Sequence, residues 1–219
     1  MTTLPINDNM MAKAATCNEK IAGNAIFGRD VMEGLASKPK YLPSKYFYDQ
    51  AGDRIFQEIM TCEEYYPFEC ELEIFRQRSG DLAALMQNGG AFDLIELGAG
   101  DCTKSSYLLK YLVNAGTDFT FMPIDISSNI IGYLQRHLPM KIPGLKIKGL
   151  NGDYFSMLER ASHISGNRKV VLFLGSNLGN MSPPEAREFC GALRRHLRAG
   201  DMARIGLGLV FGDDHRVRE

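Results

Sequence analysis

The stretch FDLIELGAGDCTK, residues 92–104, decides the fold. Its first six residues have strand length and carry four large apolar side chains. Gly98-Ala99-Gly100 then turns the chain, and the run from Thr103 opens a helix. Downstream the same alternation recurs. Strands are expected over 119–126, 145–150, 169–175 and 203–211, and helices over 103–113, 128–138, 154–163 and 183–197. The last helix starts Ser182-Pro183-Pro184-Glu185, a capping box with proline where no donor is needed. Strand, helix, strand in repetition means an α/β fold built on a parallel sheet with right-handed crossovers. Near-continuous apolar runs such as VVLFL at 170–174 fit a sheet covered on both faces.

Upstream of residue 91 the texture is helical. The first two dozen residues are polar and lack a period, and read as a loosely attached arm. A helix is expected over 25–36, followed by the proline-bounded connector SKPKYLP at 37–43. Ile55, Phe56 and Ile59 mark a short helix over 53–60. Phe68, Leu72, Phe75, Leu82 and Leu85 mark a longer one over 67–86, which Gly89-Gly90 terminates. The expected organisation is an arm and helix at 1–36, a helical segment at 37–90 and an α/β core at 91–219.

Composition narrows the function. The 219 residues carry 25 Lys+Arg against 26 Asp+Glu, a formal net charge of −1, and 45% are hydrophobic. That supports a sizeable core and argues against nucleic acid as main partner, since phosphate binding needs a basic surplus. No run reaches the roughly 18 apolar residues of a membrane helix, and the N-terminus lacks a secretory pattern. Five scattered cysteines without a C-x-x-C pair point to reduced thiols and a cytoplasmic setting. The four histidines are dispersed, so no metal site is expected, and His137 and His196 fall near helix ends.

In open α/β sheets ligands lie beyond the C-terminal ends of the strands. The first strand ends in Glu96 and the Gly98-x-Gly100 turn, the second in Asp125, the third in Asn151-Gly152-Asp153, and the fourth in Gly175-Ser176-Asn177. Close backbone approach at the turn, an acid for ribose hydroxyls at Asp125 and an acid near an adenine amino group at Asp153 together suggest an adenosine-containing cofactor. A tight strand-to-helix turn, a solvated strand-end acid and an Asx turn are the plainer readings of the three taken singly. A dinucleotide fingerprint would place a third glycine where Thr103 stands. ELGAG instead suits S-adenosyl-L-methionine, which has a sulfonium and an amino-acid tail in place of a pyrophosphate. A dinucleotide-dependent oxidoreductase is the disfavoured alternative.

These residues resemble the S-adenosylmethionine-dependent, histidine-specific Nα-methyltransferases of ergothioneine biosynthesis. The shared words are LPSKYFYD at 42–49, EEYYP at 63–67, IELGAG at 95–100 with Lys104, PIDIS at 123–127, NGD at 151–153 and FLGSNLGN at 173–180. They occur in the family's order across residues 37–201. The resemblance implies a Rossmann-like class I methyltransferase core with a helical N-terminal extension that contributes to the substrate pocket. It implies cofactor contacts from Glu96, Gly98, Gly100, Lys104, Asp125, Asp153 and Tyr154. It implies a histidine substrate held by Tyr48, Tyr65 and Asn180, a phenol and a carboxamide each being able to donate to and accept from a neutral imidazole. No protein side chain is expected to act as a covalent catalyst.

Packing alternatives stand beside these roles: core aromatics for Tyr48 and Tyr65, a helix-entry turn for Asn180, and a solvated first-turn lysine for Lys104. The family's pattern runs to about Asp201. Gly208 stands where the family usually has Asp, and the tail GDDHRVRE at 212–219 matches nothing in it. The expectation is therefore a core that is C-terminally incomplete, with part of the substrate pocket missing. Two further functions stay open: a same-family methyltransferase for another small amine or amino acid, and a truncated chain that binds cofactor without chemistry.

Overall fold

The computed structural model describes residues 25–42, 46, 50–60, 62, 65–87, 90–175 and 177–206. The chain divides into two compact units, Met1–Tyr48 and Asp49–Glu219. In the first, helix α1 spans 25–36. Its Gly34 has the Tyr41 backbone where a Cβ would stand. Phe27 meets Tyr46 edge-on at 4.8 Å, and the Tyr46 hydroxyl donates to Asp30 at 2.8 Å.

The second unit holds helices α2 (Gln50–Met60), α3 (Tyr66–Met86), α4 (Ser105–Asn114), α5 (Ser128–Lys141), α6 (Tyr154–Ile164) and α7 (Pro183–His196). Its strands are β1 (Phe92–Leu97), β2 (Phe119–Asp125), β3 (Leu150–Asn151), β4 (Arg168–Phe173) and β5 (Met202–Ile205). They form one sheet in the order β3-β2-β1-β4-β5, and every pairing is parallel. This is the expected Rossmann-like α/β core. Leu97 at the end of β1 lies opposite Ile124 on one side and Phe173 on the other.

Side-chain alternation along the strands separates two cores. Phe92 and Leu94 of β1 pack with α3, α4 and α5 through Phe75, Met86, Leu109 and Leu134. Ile95 and Leu97 pack with α6 and α7 through Leu158, Phe189 and Leu193. The crossovers β1-α4-β2 and β2-α5-β3 thus cover one face and β3-α6-β4 and β4-α7-β5 the other. The order in which strands are added reverses between β1 and β4, and in open α/β sheets ligands bind at the C-terminal ends of the strands beside such a reversal.

Several elements differ from expectation. The third strand is two residues long rather than six. Residues 146–148 do bond to Phe121, at 2.8 Å in both directions, but the ladder breaks at Gly149, where a Cβ would meet Ile131 of α5 at 2.7 Å. Helix α4 starts at Ser105 because Asp101 captures the Thr103 amide (2.9 Å) and hydroxyl (2.7 Å) in a local turn. The buried stripe of α3 is Leu72, Phe75, Ser79, Ala83 and Met86, while Leu85 is exposed. Its helical geometry is interrupted at Arg78. Helix α2 forms where expected, although its Ile55 and Ile59 are exposed. The fifth strand is described only over Met202–Ile205; its expected continuation lies outside the described residues. At α7 the Glu185 carboxylate accepts from the Ser182 amide at 2.8 Å and hydroxyl at 2.6 Å, so the capping acid is in place.

An ion pair is buried at the entry end of the sheet. Asp93 of β1 lies opposite Lys169 of β4, and their side chains are 1% and 6% exposed. The Lys169 ammonium donates to Asp93 at 2.9 Å and to the carbonyls of Ser165 (2.8 Å) and Asn167 (2.7 Å). All three of its protons are therefore used. Asp93→Asn would leave that cation buried without its counter-charge, at a cost of roughly 3–5 kcal/mol in urea denaturation. Replacing both partners with apolar residues of similar volume should cost much less.

Candidate functional site

The site is built from what each parallel strand releases at its C-terminal end. After β1 the backbone turns sharply: Gly98 and Gly100 have φ of 68° and 52°. The amides of Gly98 and Ala99 both donate to the Ile124 carbonyl, at 2.9 and 3.2 Å, which holds the turn against β2. A Cβ at Gly98 would stand 2.8 Å from the Tyr154 hydroxyl, whereas a Cβ at Gly100 would meet nothing within 4 Å. Gly98 is therefore required by a close approach inside the protein, and Gly100 faces open space.

Asp125 ends β2. One carboxylate oxygen accepts from the Gly100 amide at 3.1 Å and the other from the Ser127 amide at 2.9 Å. Asn151 donates to the carbonyls of Asp125 (3.0 Å) and Ile126 (2.9 Å). The acid is buried, oriented by two backbone donors, and placed beside the glycine turn. Asp153 caps α6, accepting from the Ser156 amide at 3.0 Å. Burial raises its pKa, but the hydrogen bonds from Ser156 and nearby amides outweigh that and hold it below the ordinary value. The Tyr154 ring meets Phe173 and Phe189 edge-on at 5.8 and 6.3 Å, which fixes the phenol above the turn.

Glu96 lies beneath the same turn, fully buried. Desolvation drives its pKa up from 4.5 to about 7, and the Ser105 hydroxyl and Lys104 charge offset only part of that. The Cys102 thiol lies 3.8 Å from its carboxylate and is itself pushed up, first by burial and then by Glu96. Lys104 forms the N-cap of α4 and pairs with Glu71 of α3. Glu71 also accepts from the Gly175 amide through both oxygens, at 3.0 and 2.9 Å. The Tyr65 hydroxyl sits 3.5 Å from the Gly175 carbonyl oxygen.

The structure thus gathers Glu96, Gly98, Gly100, Lys104, Asp125, Asp153 and Tyr154 at one end of the sheet, with Tyr65 beside the exit of β4. Asn180 ends the 3₁₀ turn Asn177–Asn180 that follows this exit; its side chain lies outside the described residues, as does Tyr48. Glu71 was not legible in the sequence. It is one of three acids, with Glu69 and Glu73, on the same stretch of helix, and nothing local sets it apart. Among the described residues no group of three or more His, Cys, Asp or Glu could hold a metal ion, and no helix is long and apolar enough to cross a membrane.

A family described as histidine-specific, S-adenosylmethionine-dependent methyltransferases matches residues 27–216. The chain belongs to that family. It is 35% identical over 190 residues to a histidine N-alpha-methyltransferase of Mycolicibacterium smegmatis, covering 87% of this chain and 58% of that protein. It is 35% identical over 197 residues to a protein of the same name from Mycobacterium tuberculosis, covering 90% and 60%. A 4-dimethylallyltryptophan N-methyltransferase of Claviceps fusiformis is 29% identical over 165 residues, covering 74% of this chain and 46% of the relative. The chain therefore spans about 60% of the length of the first two relatives. In this family member the glycine turn leaves open backbone at Gly100, and beside it the Asp125 carboxylate, held by two fixed amides, offers acceptor lone pairs.

Glu96 makes the stability of this end pH-dependent. Because its folded pKa is raised, its favourable contribution is full below about 4.5 and is lost as pH rises through about 7. Glu96→Gln should flatten that decline. By urea denaturation at about pH 8 the variant should be more stable than the parent by roughly 3 kcal/mol, with no advantage at about pH 4.

Proposed function

We propose that the protein transfers a methyl group from S-adenosyl-L-methionine to the α-amino nitrogen of L-histidine, a step of ergothioneine biosynthesis. The observation that carries this reading is Asp125: a buried carboxylate, oriented by the amides of Gly100 and Ser127 at the exit of β2, in a chain of the histidine-specific family. Asp125 accepts from the ribose hydroxyls. Gly100 lets the nucleoside approach the backbone, and Gly98, on which the Tyr154 phenol closes, borders it above the buried Glu96. Asp153 and Tyr154 lie at the adenine, and Lys104 at the amino-acid tail. Tyr65 and Asn180 hold the imidazole, and Tyr48 remains an expectation of the family resemblance for the same substrate.

The sulfonium supplies an activated methyl carbon with a neutral thioether as leaving group. What remains for the protein is geometric: to hold amine and methyl carbon in line and to keep water out. The amine must arrive neutral, so that its lone pair attacks. Neither step calls for a protein nucleophile or a metal. The acceptor is a free small molecule rather than nucleic acid, in keeping with the balanced charge. The four described cysteines are free thiols, which supports a cytoplasmic setting.

A second acceptor is favoured by one observation: the Claviceps relative carries the name of an enzyme acting on a tryptophan derivative. The same site would then serve another amino acid. A mass-spectrometric assay with histidine and with other amino acids separates the two. Gain of one to three methyl groups on histidine alone supports the first reading, and methylation of another amino acid but not histidine supports the second.

Two substitutions test the residues. Asp125→Ala should weaken S-adenosylhomocysteine binding by at least tenfold in calorimetry, since at least one charge-assisted hydrogen bond disappears. Unchanged affinity removes the ribose assignment. Tyr65→Phe should weaken histidine binding by several-fold while leaving cofactor affinity within about twofold. Equal losses for both ligands assign Tyr65 to packing.

A further inference from the structure

The reversal point between β1 and β4 is spanned by a residue from outside the alternating α/β units. Lys104 follows β1 and Gly175 follows β4, and the two strands are neighbours. Glu71 of α3 bridges them, pairing with the Lys104 ammonium and accepting the Gly175 amide. The Glu71 and Lys104 side chains are 12% and 15% exposed, so water screens the pair far less than it would at the surface. The Lys104 ammonium also stands 5.4 Å from the Phe68 ring, one turn earlier on α3. Gly206, just past β5, has Glu71 Oε1 where a Cβ would stand, and its amide bonds to Phe173 at 2.8 Å. Three separate segments are therefore fitted around one carboxylate.

Stability alone does not account for this pair. A lysine at a helix N-terminus is repelled by the helix dipole. Here a cation is set in that unfavourable place and a partly buried carboxylate is supplied to hold it. Replacing such a pair with apolar residues is often neutral or stabilising. What the pair provides is a cation of defined position at the C-terminal exits of β1 and β4.

We propose that Glu71 is a positioning residue of the cofactor site: it fixes the Lys104 ammonium and, through the Gly175 amide, ties that ammonium to the β4 exit that leads into Asn177–Asn180. This rests on the cofactor reading above, in which Lys104 meets the amino-acid tail of the methyl donor. The amide of residue 175 is held by Glu71, and the Tyr65 hydroxyl stands 3.5 Å from its carbonyl oxygen. One helix, α3 with its preceding residue, thereby sets both the cofactor cation and the start of the segment that carries Asn180.

The test is a double-mutant cycle on this chain, read as S-adenosylhomocysteine affinity by calorimetry with thermal melting alongside. Glu71→Gln keeps the size and an acceptor for the Gly175 amide but removes the charge that holds Lys104. It should weaken binding about tenfold, as should Lys104→Met. The double variant should be no weaker than Lys104→Met alone, because Glu71 acts through Lys104. Additive losses, or Glu71→Gln binding as well as the parent, overturn the proposal. A residue that merely stabilised the fold would give additive losses that track the melting temperature. If Glu71→Gln does not fold, Glu71→Asp enters the same cycle: it keeps the charge and withdraws it by one methylene, and the same non-additivity is expected. A parent chain that binds no S-adenosylhomocysteine removes the cofactor reading and this inference together, whereas a binding parent with additive variants removes only the inference.

Discussion

A strand buried on both faces must neutralise every charge it carries. All six positions of β1 are buried, yet two of them are acids. Asp93 solves the problem with a cation from the neighbouring strand, and Glu96 with a carboxyl held near neutral pH by burial. The two solutions lie at opposite ends of the strand. The ion pair ties β1 to β4 at the entry end, where it is structural. The raised carboxyl lies at the exit, where the backbone turns through Gly98 and Gly100.

The exit end is organised by backbone donors and side-chain carboxylates. Asp125 takes the amides of Gly100 and Ser127, and Glu71 takes the amide of Gly175 across the reversal point. Amides fixed in this way cannot reorient, so the carboxylates they hold are already in place before a ligand arrives. A helical segment lying outside the repeating βα units thus becomes part of the site: α3 contributes core contacts through Leu72 and Phe75 and, one residue from Leu72, the carboxylate of Glu71.

Much of the α/β core could be read from sequence because its strands are apolar runs of the right length between glycine turns. The limits of β1 agree to the residue. The length of the third strand could not be read, because the alternation of Leu145, Ile147 and Leu150 with polar residues says nothing about how closely α5 passes over Gly149. The register of the α3 stripe was legible only in part for a related reason. Leu72, Phe75 and Leu82 do pack against the core, but the helix geometry changes at Arg78, and past it Ala83 and Met86 are buried while Leu85 is exposed. On α2, the helical spacing of Ile55 and Ile59 marked a helix that does form over Gln50–Met60, although both side chains are exposed.

Sequence alone determined the class of fold, the strand exits at which chemistry could sit, and the family, because hydrophobic period and short local words are properties of contiguous residues. The tertiary structure decided the partners. That Lys104 would meet Glu71, that Gly175 would donate to the same carboxylate, and that Asp93 would pair with Lys169 are contacts between residues 33, 104 and 76 positions apart. No local pattern encodes them. They exist because burial in a low-dielectric interior leaves each of these charges and amides only one place to find its complement.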